Sequence, residues 1–173
     1  MVILLINSIL IDNFKYNISQ IFLLALLEFV LHLSAPSEKL IELATDYAGL
    51  SRYLPNQLKS IKIIEKNNNE TITEEELVFS TIIKNKIIQQ TKHSKLSNTE
   101  LKSEIILGPA TGSTILITFS KLNEGTDVSI SANLKLSLKA KFLSPIIKKL
   151  YKTVMTGILY KMNADALQQK SGL

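Results

Sequence analysis

The stretch TDVSISANLKLSLKAKF, residues Thr126 to Phe142, decides how this chain is read. Every even position from Val128 to Phe142 is apolar, and every odd position from Asp127 to Lys141 is polar or charged. A period of two belongs to a half-buried β-strand and no helix produces it. At ~3.3 Å per residue the run would reach roughly 50 Å, so it must curve or carry a bulge, and the sheet that holds it must bend. Immediately downstream, Ser144 and Pro145 open a helix, because a proline near the first helical position lacks only an N–H that would go unbonded anyway. The helix runs to about Gln169. Ile146 and Ile147, Leu150 and Tyr151, Val154 and Met155, Ile158 and Leu159, then Met162 recur every four residues, while Lys148, Lys149, Lys152 and Lys161 lie largely elsewhere. Each step of four overshoots a full turn by ~40°, so the apolar stripe winds as it would when crossing a curved sheet.

Working upstream, Glu28 to Ser34 alternates, with Phe29, Leu31 and Leu33 on one face, and predicts a first strand beginning near Leu27. Pro36 then introduces a helix to about Tyr47, in which Leu40, Ile41, Leu43 and Ala44 share a face. Gly49 ends it, and Leu50 to Leu54 forms a second helical piece stopped by Pro55. Six strands follow: Leu58 to Lys66, Glu70 to Phe79, Ile82 to Lys92, Glu100 to Leu107, Ser113 to Leu122 and Thr126 to Phe142. Asn67-Asn68-Asn69 and Asn123-Glu124-Gly125 suit tight turns, since Asn and Gly tolerate positive φ. Short connections make this an antiparallel meander, and the whole an α+β fold of about seven strands and one long C-terminal helix.

The 173 residues fall within the size of one domain, and 46% apolar with 20% charged residues is the composition of a globular chain. The absence of cysteine excludes disulfide frameworks, thiolate metal sites and cysteine nucleophiles, and fits a cytoplasmic setting. The net charge of +5 is uneven: from Lys135 onward eight Lys face Asp165 alone. Such a basic region suits an anionic membrane surface, and Lys148, Lys149 and Lys152 are the candidates for weak, peripheral docking. Residues 1–26 are apolar but interrupted by Asp12, Lys15 and several Asn and Ser, so they are too broken to span a bilayer. They fit neither a secretory signal nor the strand pattern, and are read as an extension outside a domain of residues 27–169, with 170–173 as a tail.

Few motifs suggest chemistry. Gly108 to Ser113 lacks the lysine and following helix of a phosphate loop and reads as a turn. His32 and His93 lie on different strands without metal-ligand spacing, and Glu74-Glu75-Glu76 reads as a solvated strand edge, since three adjacent carboxylates cannot share one face. No acid/base constellation, catalytic residue, metal site or cofactor site emerges. Nucleic-acid binding draws only on the lysines and lacks interleaved aromatics.

The order of elements, together with Leu33-Ser34-Ala35-Pro36-Ser37-Glu38-Lys39, Ala44-Thr45-Asp46-Tyr47 through Leu54-Pro55, Gly125-Thr126 and Ser144-Pro145, resembles the START-like (SRPBCC) helix-grip superfamily, in particular its polyketide cyclase/dehydrase and coenzyme Q-binding branches. The resemblance spans residues 27–169 and is diffuse. It implies a bent antiparallel sheet gripping the last helix, with a cavity between them roofed by the two short helices. An apolar lipid, isoprenoid or quinone-like ligand is expected there, carried by a monomer or weak dimer. The rival expectation is a cyclase or hydratase acting on a polyketide-like or aromatic substrate. On this geometry Phe119, Leu134, Leu136, Met155, Leu159 and Met162 are the expected cavity wall. Asp46, Arg52 and Tyr53 stand at its mouth, where Arg52 and Tyr53 would orient a polar end. Gly157 is expected to leave ligand space, because a mid-helix glycine costs about 1 kcal/mol relative to Ala and needs a reason.

Overall fold

The computed structural model describes residues 22–79, 83–137 and 144–168. Strand β1 (Phe22–Leu33) leads into helix α1 (Ser37–Thr45) and a 3-10 helix (Tyr47–Tyr53). Strands β2 (Leu58–Lys66), β3 (Glu70–Phe79), β4 (Ile83–Lys95), β5 (Glu100–Leu107), β6 (Thr114–Lys121) and β7 (Thr126–Ser137) follow, and the long helix α2 (Ser144–Gln168) closes the described chain. The seven strands form one sheet in the order β1-β7-β6-β5-β4-β3-β2, with every neighbouring pair antiparallel. Shifts in register interrupt β2 at two places, β3 against β4 near Val78, and β4 against β5 near Gln90. Such irregularities bend a sheet. This is the helix-grip α+β architecture expected from the alternation in β7 and the four-residue repeat in α2.

The parity reading of β7 holds: Val128, Ile130, Ala132 and Leu134 are all buried, while Asp127, Ser129, Ser131 and Asn133 are not. Residues 138–143, the expected continuation of this strand, lie outside the described residues. The start of β1 differs from expectation. It begins at Phe22, not near Leu27, and residues 22–26 pair with 133–137 of β7. Ala25 is buried in the core, whereas Leu24 and Leu26 on the opposite face are exposed. Apolar residues on both faces hid the alternation, which is why the strand starts five residues earlier than expected.

Two buried clusters fill the space between sheet and α2. One gathers Phe29, Leu33, Leu40, Leu43, Phe119, Val128, Ile130, Leu159 and Met162 beneath α1; the other gathers Leu58, Leu77, Ile87, Ile105, Leu134, Ile147 and Tyr151. The corner between β1 and α1 is tied down twice. Thr126 Oγ1 donates to the Ala35 carbonyl at 2.8 Å, and Asn163 Oδ1 of α2 accepts from the Ala35 N–H at 2.9 Å. Gly125, at φ 88°, lies so close to this corner that a Cβ there would strike the Leu33 carbonyl oxygen, which explains a glycine at that turn. No helix among the described residues is long and apolar enough to cross a membrane.

Candidate functional site

A partly open cavity of about 160 Å³ lies between the inner face of β3, β4 and β5, the middle of α2 and the 3-10 helix. Leu50 and Leu54 roof it from the 3-10 helix and the turn after it. Tyr151, Val154, Met155 and Ile158 form the α2 wall, and Leu58, Leu77, Ile105 and Ile115 form the apolar part of the sheet wall. The remaining lining residues are Glu75, Gln89, Thr91, His93 and Ser103, with Ile61 from β2. An otherwise apolar chamber therefore has one polar wall.

That wall is built by strand register. On the inner face of the β3–β4 pair, Glu75 stands opposite Gln89, Thr73 opposite Thr91 and Thr71 opposite His93; across β4–β5, His93 stands opposite Ser103. Side chains directly opposite on one face meet, so polar residues at every second position become a connected cluster. Gln89 Nε2 donates to Glu75 Oε2 at 2.7 Å and to Thr91 Oγ1 at 3.1 Å. Thr73 Oγ1 donates to Glu75 Oε1 at 2.8 Å and lies 3.0 Å from His93 Nε2. His93 Nδ1 is 2.9 Å from Ser103 Oγ, and Glu75 Oε1 is 3.8 Å from His93 Nε2. An ionised carboxylate only accepts, so Thr73 spends its proton on Glu75 and must accept from His93 Nε2–H. The network thereby assigns the protonated nitrogen of the imidazole.

Electrostatics support an ionised Glu75. Burial pushes its carboxyl up, but the His93 imidazole and the Thr73 hydroxyl outweigh burial and hold it below the ordinary carboxylate value. At 3.8 Å from Glu75 Oε1, His93 Nε2 lies beyond good hydrogen-bonding distance, and its nearer partner is the Thr73 hydroxyl. The Tyr47 ring stacks on His93 with centroids 4.1 Å apart and an interplanar angle of 19°, fixing the imidazole plane. Burial pushes the Tyr47 phenol up to about 12, and burial likewise raises Tyr151, so both stay neutral donors at physiological pH.

Of the residues expected at the site, Met155 lines the cavity. Phe119, Leu134, Leu159 and Met162 are buried but belong to the packed clusters beside it. Parity gave their faces correctly without revealing which part of a face borders space. Leu136 lies in β7 opposite Leu23, and its side chain lies outside the described residues. Gly157 is exposed, and a Cβ added there would meet nothing within 4 Å. It occupies the flank of α2 away from the cavity, because the winding apolar stripe passes it by. Arg52 and Tyr53 do not line the cavity either. Tyr53 is buried and donates its hydroxyl to Asp165 Oδ2 at 2.9 Å, while exposed Arg52 pairs with Asp46 at 3.1 Å and covers the Tyr53 ring at 4.8 Å. Together they clamp the 3-10 helix to α2. Asp46 also accepts from the Gly49 N–H at the start of the 3-10 helix.

The polar wall itself escaped the sequence reading. Glu75 sits in β3, which lies between β2 and β4 and is no sheet edge, and its side chain is 13% exposed. The signal was present as two runs of polar residues at every second position, Thr71-Thr73-Glu75 and Gln89-Thr91-His93. Reading Glu74-Glu75-Glu76 as a solvated edge, on the rule that polar residues face water, passed over those runs. On α2, Lys149 and Lys152 are exposed, Lys148 is half-buried, and the Lys152 ammonium rests 5.4 Å over the Phe29 ring.

Neither a protein-family model nor a curated protein sequence matches the chain. Solved structures do. The di-domain aromatase/cyclase StfQ of the steffimycin biosynthetic pathway superposes with a TM-score of 0.75 at 13% identity over 87% of this chain, which spans about half (53%) of that protein. A START superfamily protein from Mycobacterium smegmatis gives 0.67 at 12% identity, covering 83% of this chain and 98% of that one. Norcoclaurine synthase from Thalictrum flavum, solved with dopamine and hydroxybenzaldehyde, gives 0.65 at 14% identity, covering 88% and 98%. At these identities the likeness concerns architecture alone, and the architecture of this chain is the START-like helix-grip fold.

Proposed function

We propose that the protein binds an apolar small molecule about one ring system in size, in the cavity between the β3–β5 wall and α2, with the ligand's polar end toward Glu75, Gln89 and His93. The observation that carries this reading is the cavity itself, eleven of whose sixteen lining residues are apolar or aromatic, with the polar ones gathered on one wall. Ligand sites have this composition: mostly apolar lining with a few convergent polar groups. Its volume of about 160 Å³ narrows the ligand. A dry apolar cavity of ~150 Å³ accepts benzene, whereas drug-sized ligands occupy roughly 300–1,000 Å³. A whole isoprenoid or quinone tail exceeds the space, so a ring-sized ligand fits better than the lipid expected from sequence. Dopamine and hydroxybenzaldehyde, seen in the similarly folded norcoclaurine synthase, are single-ring molecules too. Native mass spectrometry of the purified protein, alone and with added small aromatic compounds, tests the reading: one-to-one adducts support it, and their absence at millimolar ligand removes it.

One observation favours a second reading, proton-transfer catalysis of the cyclase or hydratase kind in the same cavity. The chain Glu75–Thr73–His93–Ser103 supplies the acid/base group missing from the sequence reading. A His93→Gln variant tests this second reading, since an enzyme loses turnover by about 100-fold or more beyond any loss of affinity, whereas a protein with no turnover before or after the substitution is a binder alone. For the carrier form of the first reading, weak contact of Lys148, Lys149 and Lys152 with an anionic membrane is part of the proposal. Ile146 and Leu150 are exposed beside them. Co-sedimentation with anionic vesicles that survives triple Lys→Gln substitution would remove that contact.

A further inference from the structure

The polar wall of the cavity is unbalanced in hydrogen-bonding capacity. Gln89 is 4% exposed and lines the cavity, yet its Oε1 is buried and has no hydrogen-bond partner, while its Nε2 is committed to Glu75 and Thr91. The amide cannot be reversed to cure this. Nε2 must face Glu75, because an ionised carboxylate accepts and never donates. Glu75 itself accepts from Thr73 on one oxygen and from Gln89 on the other, and a carboxylate oxygen can accept a second bond. Both surplus groups are acceptors, and the residues that carry them are cross-strand neighbours on the same cavity wall. A buried unpartnered acceptor is costly, and in native proteins such a group calls for an explanation.

We infer that the ligand is a ring-sized aromatic molecule bearing an N–H or O–H donor, which the Gln89 carbonyl and the Glu75 carboxylate receive, and that isosteres without the donor and aromatic carboxylates are rejected. This inference rests on the cavity-binding reading and adds the chemical class of the ligand. Rejection of carboxylates follows from charge. An anionic head brought to this wall would meet the ionised Glu75 in a place where water screens poorly. Rejection of the donor-free isostere follows from hydrogen bonding, since it would fill the cavity and leave Gln89 Oε1 as unpaired as before. Sites built to bond a ligand's polar hydrogen discriminate against analogues lacking it far more strongly than apolar pockets discriminate by size.

Indole and benzofuran test this, because they have nearly the same shape and differ in N–H against ring oxygen; benzoate serves as the anionic probe. Titration calorimetry on the full chain should give indole a dissociation constant about ten-fold or more below that of benzofuran, with benzoate undetectable. In Gln89→Met, which keeps the length of the side chain but removes the carbonyl together with the amide donor to Glu75 and Thr91, the ratio of the benzofuran to the indole dissociation constant should shrink several-fold. Should that variant fail to fold, the wild-type pair still decides, together with the N–H proton of bound indole, which should move downfield in the NMR spectrum. Equal binding of indole and benzofuran overturns the donor inference and leaves the cavity reading intact. Benzoate binding as well as indole overturns the charge argument. Failure of both neutral probes to bind overturns the inference along with the reading beneath it.

Discussion

Gly125 and Glu75 show two different ways in which a single residue is constrained. Gly125 combines a positive φ with a backbone carbonyl where its Cβ would be. Gly125→Ala should therefore cost about 2 kcal/mol or more, measured by urea denaturation, since left-handed backbone and forced packing each contribute ~1–3 kcal/mol. Glu75 is constrained electrostatically. Its folded carboxyl lies below the ordinary value of 4.5, so the unfolded chain takes up a proton first as the pH falls. Its stabilising contribution is complete above that ordinary value and is lost as the pH drops through the lower folded value. Denaturation curves between pH 7 and 3 should thus show wild type losing more stability below pH 4.5 than Glu75→Gln does; parallel curves would mean that Glu75 is not held ionised by the wall. At this scale the sequence was half legible. Gly125 next to Thr126 could be read as a turn, but the partners of Glu75 sit on another strand, and only the register brings Gln89 opposite to it.

Elements were the most legible scale, because periodicity is a local property. The alternation of β7 and the four-residue repeat of α2 gave the correct types and the correct starts at Thr126 and Ser144, and the meander upstream follows from short turns. What periodicity could not supply is where α2 borders packed atoms and where it borders space. Gly157 makes the point, being a helix glycine on an exposed flank with open room for a Cβ. Gly157→Ala should raise stability by up to about 1 kcal/mol and leave indole binding unchanged. Val154, by contrast, faces the cavity. Val154→Phe should abolish indole binding and cost less than the ~1–3 kcal/mol typical of overpacking, because the larger side chain enters open volume. Severe destabilisation with retained binding would mean that this stretch of α2 abuts filled core.

For the molecule as a whole, the first strand sets the limit of what can be removed. Phe22 to Leu33 pairs along its length with β7, and Ala25 is part of the core. Shortening a chain that starts at Phe22 by four residues, so that it starts at Leu26, should cost about 2 kcal/mol, since each lost strand hydrogen bond contributes ~0.5–1.5 kcal/mol. For a domain of this size that corresponds to a fall in Tm of roughly 4–8 °C by calorimetry. Equal melting temperatures for the two truncations would return the domain boundary to residue 27. The global fold was legible from the order of elements. The cavity's size and its polar wall were not, since they arise where five strands and two helices converge.

The pairing of β1 with β7 also orders events in time. The two strands are neighbours in the sheet, yet roughly a hundred residues separate them in the chain, and closing so long a loop is slow compared with forming the hairpins from β2 to β6. During synthesis β1 leaves the ribosome first and finds its partner almost last. Until then Leu24, Leu26 and Val30, exposed even in the finished fold, and the buried face of Ala25, Phe29 and Leu33 are all open to other chains. The vulnerable species of this protein is therefore the nascent one, a preformed meander waiting for its first strand and its last helix, and substitutions in β1 should speed unfolding while leaving the folding rate almost untouched.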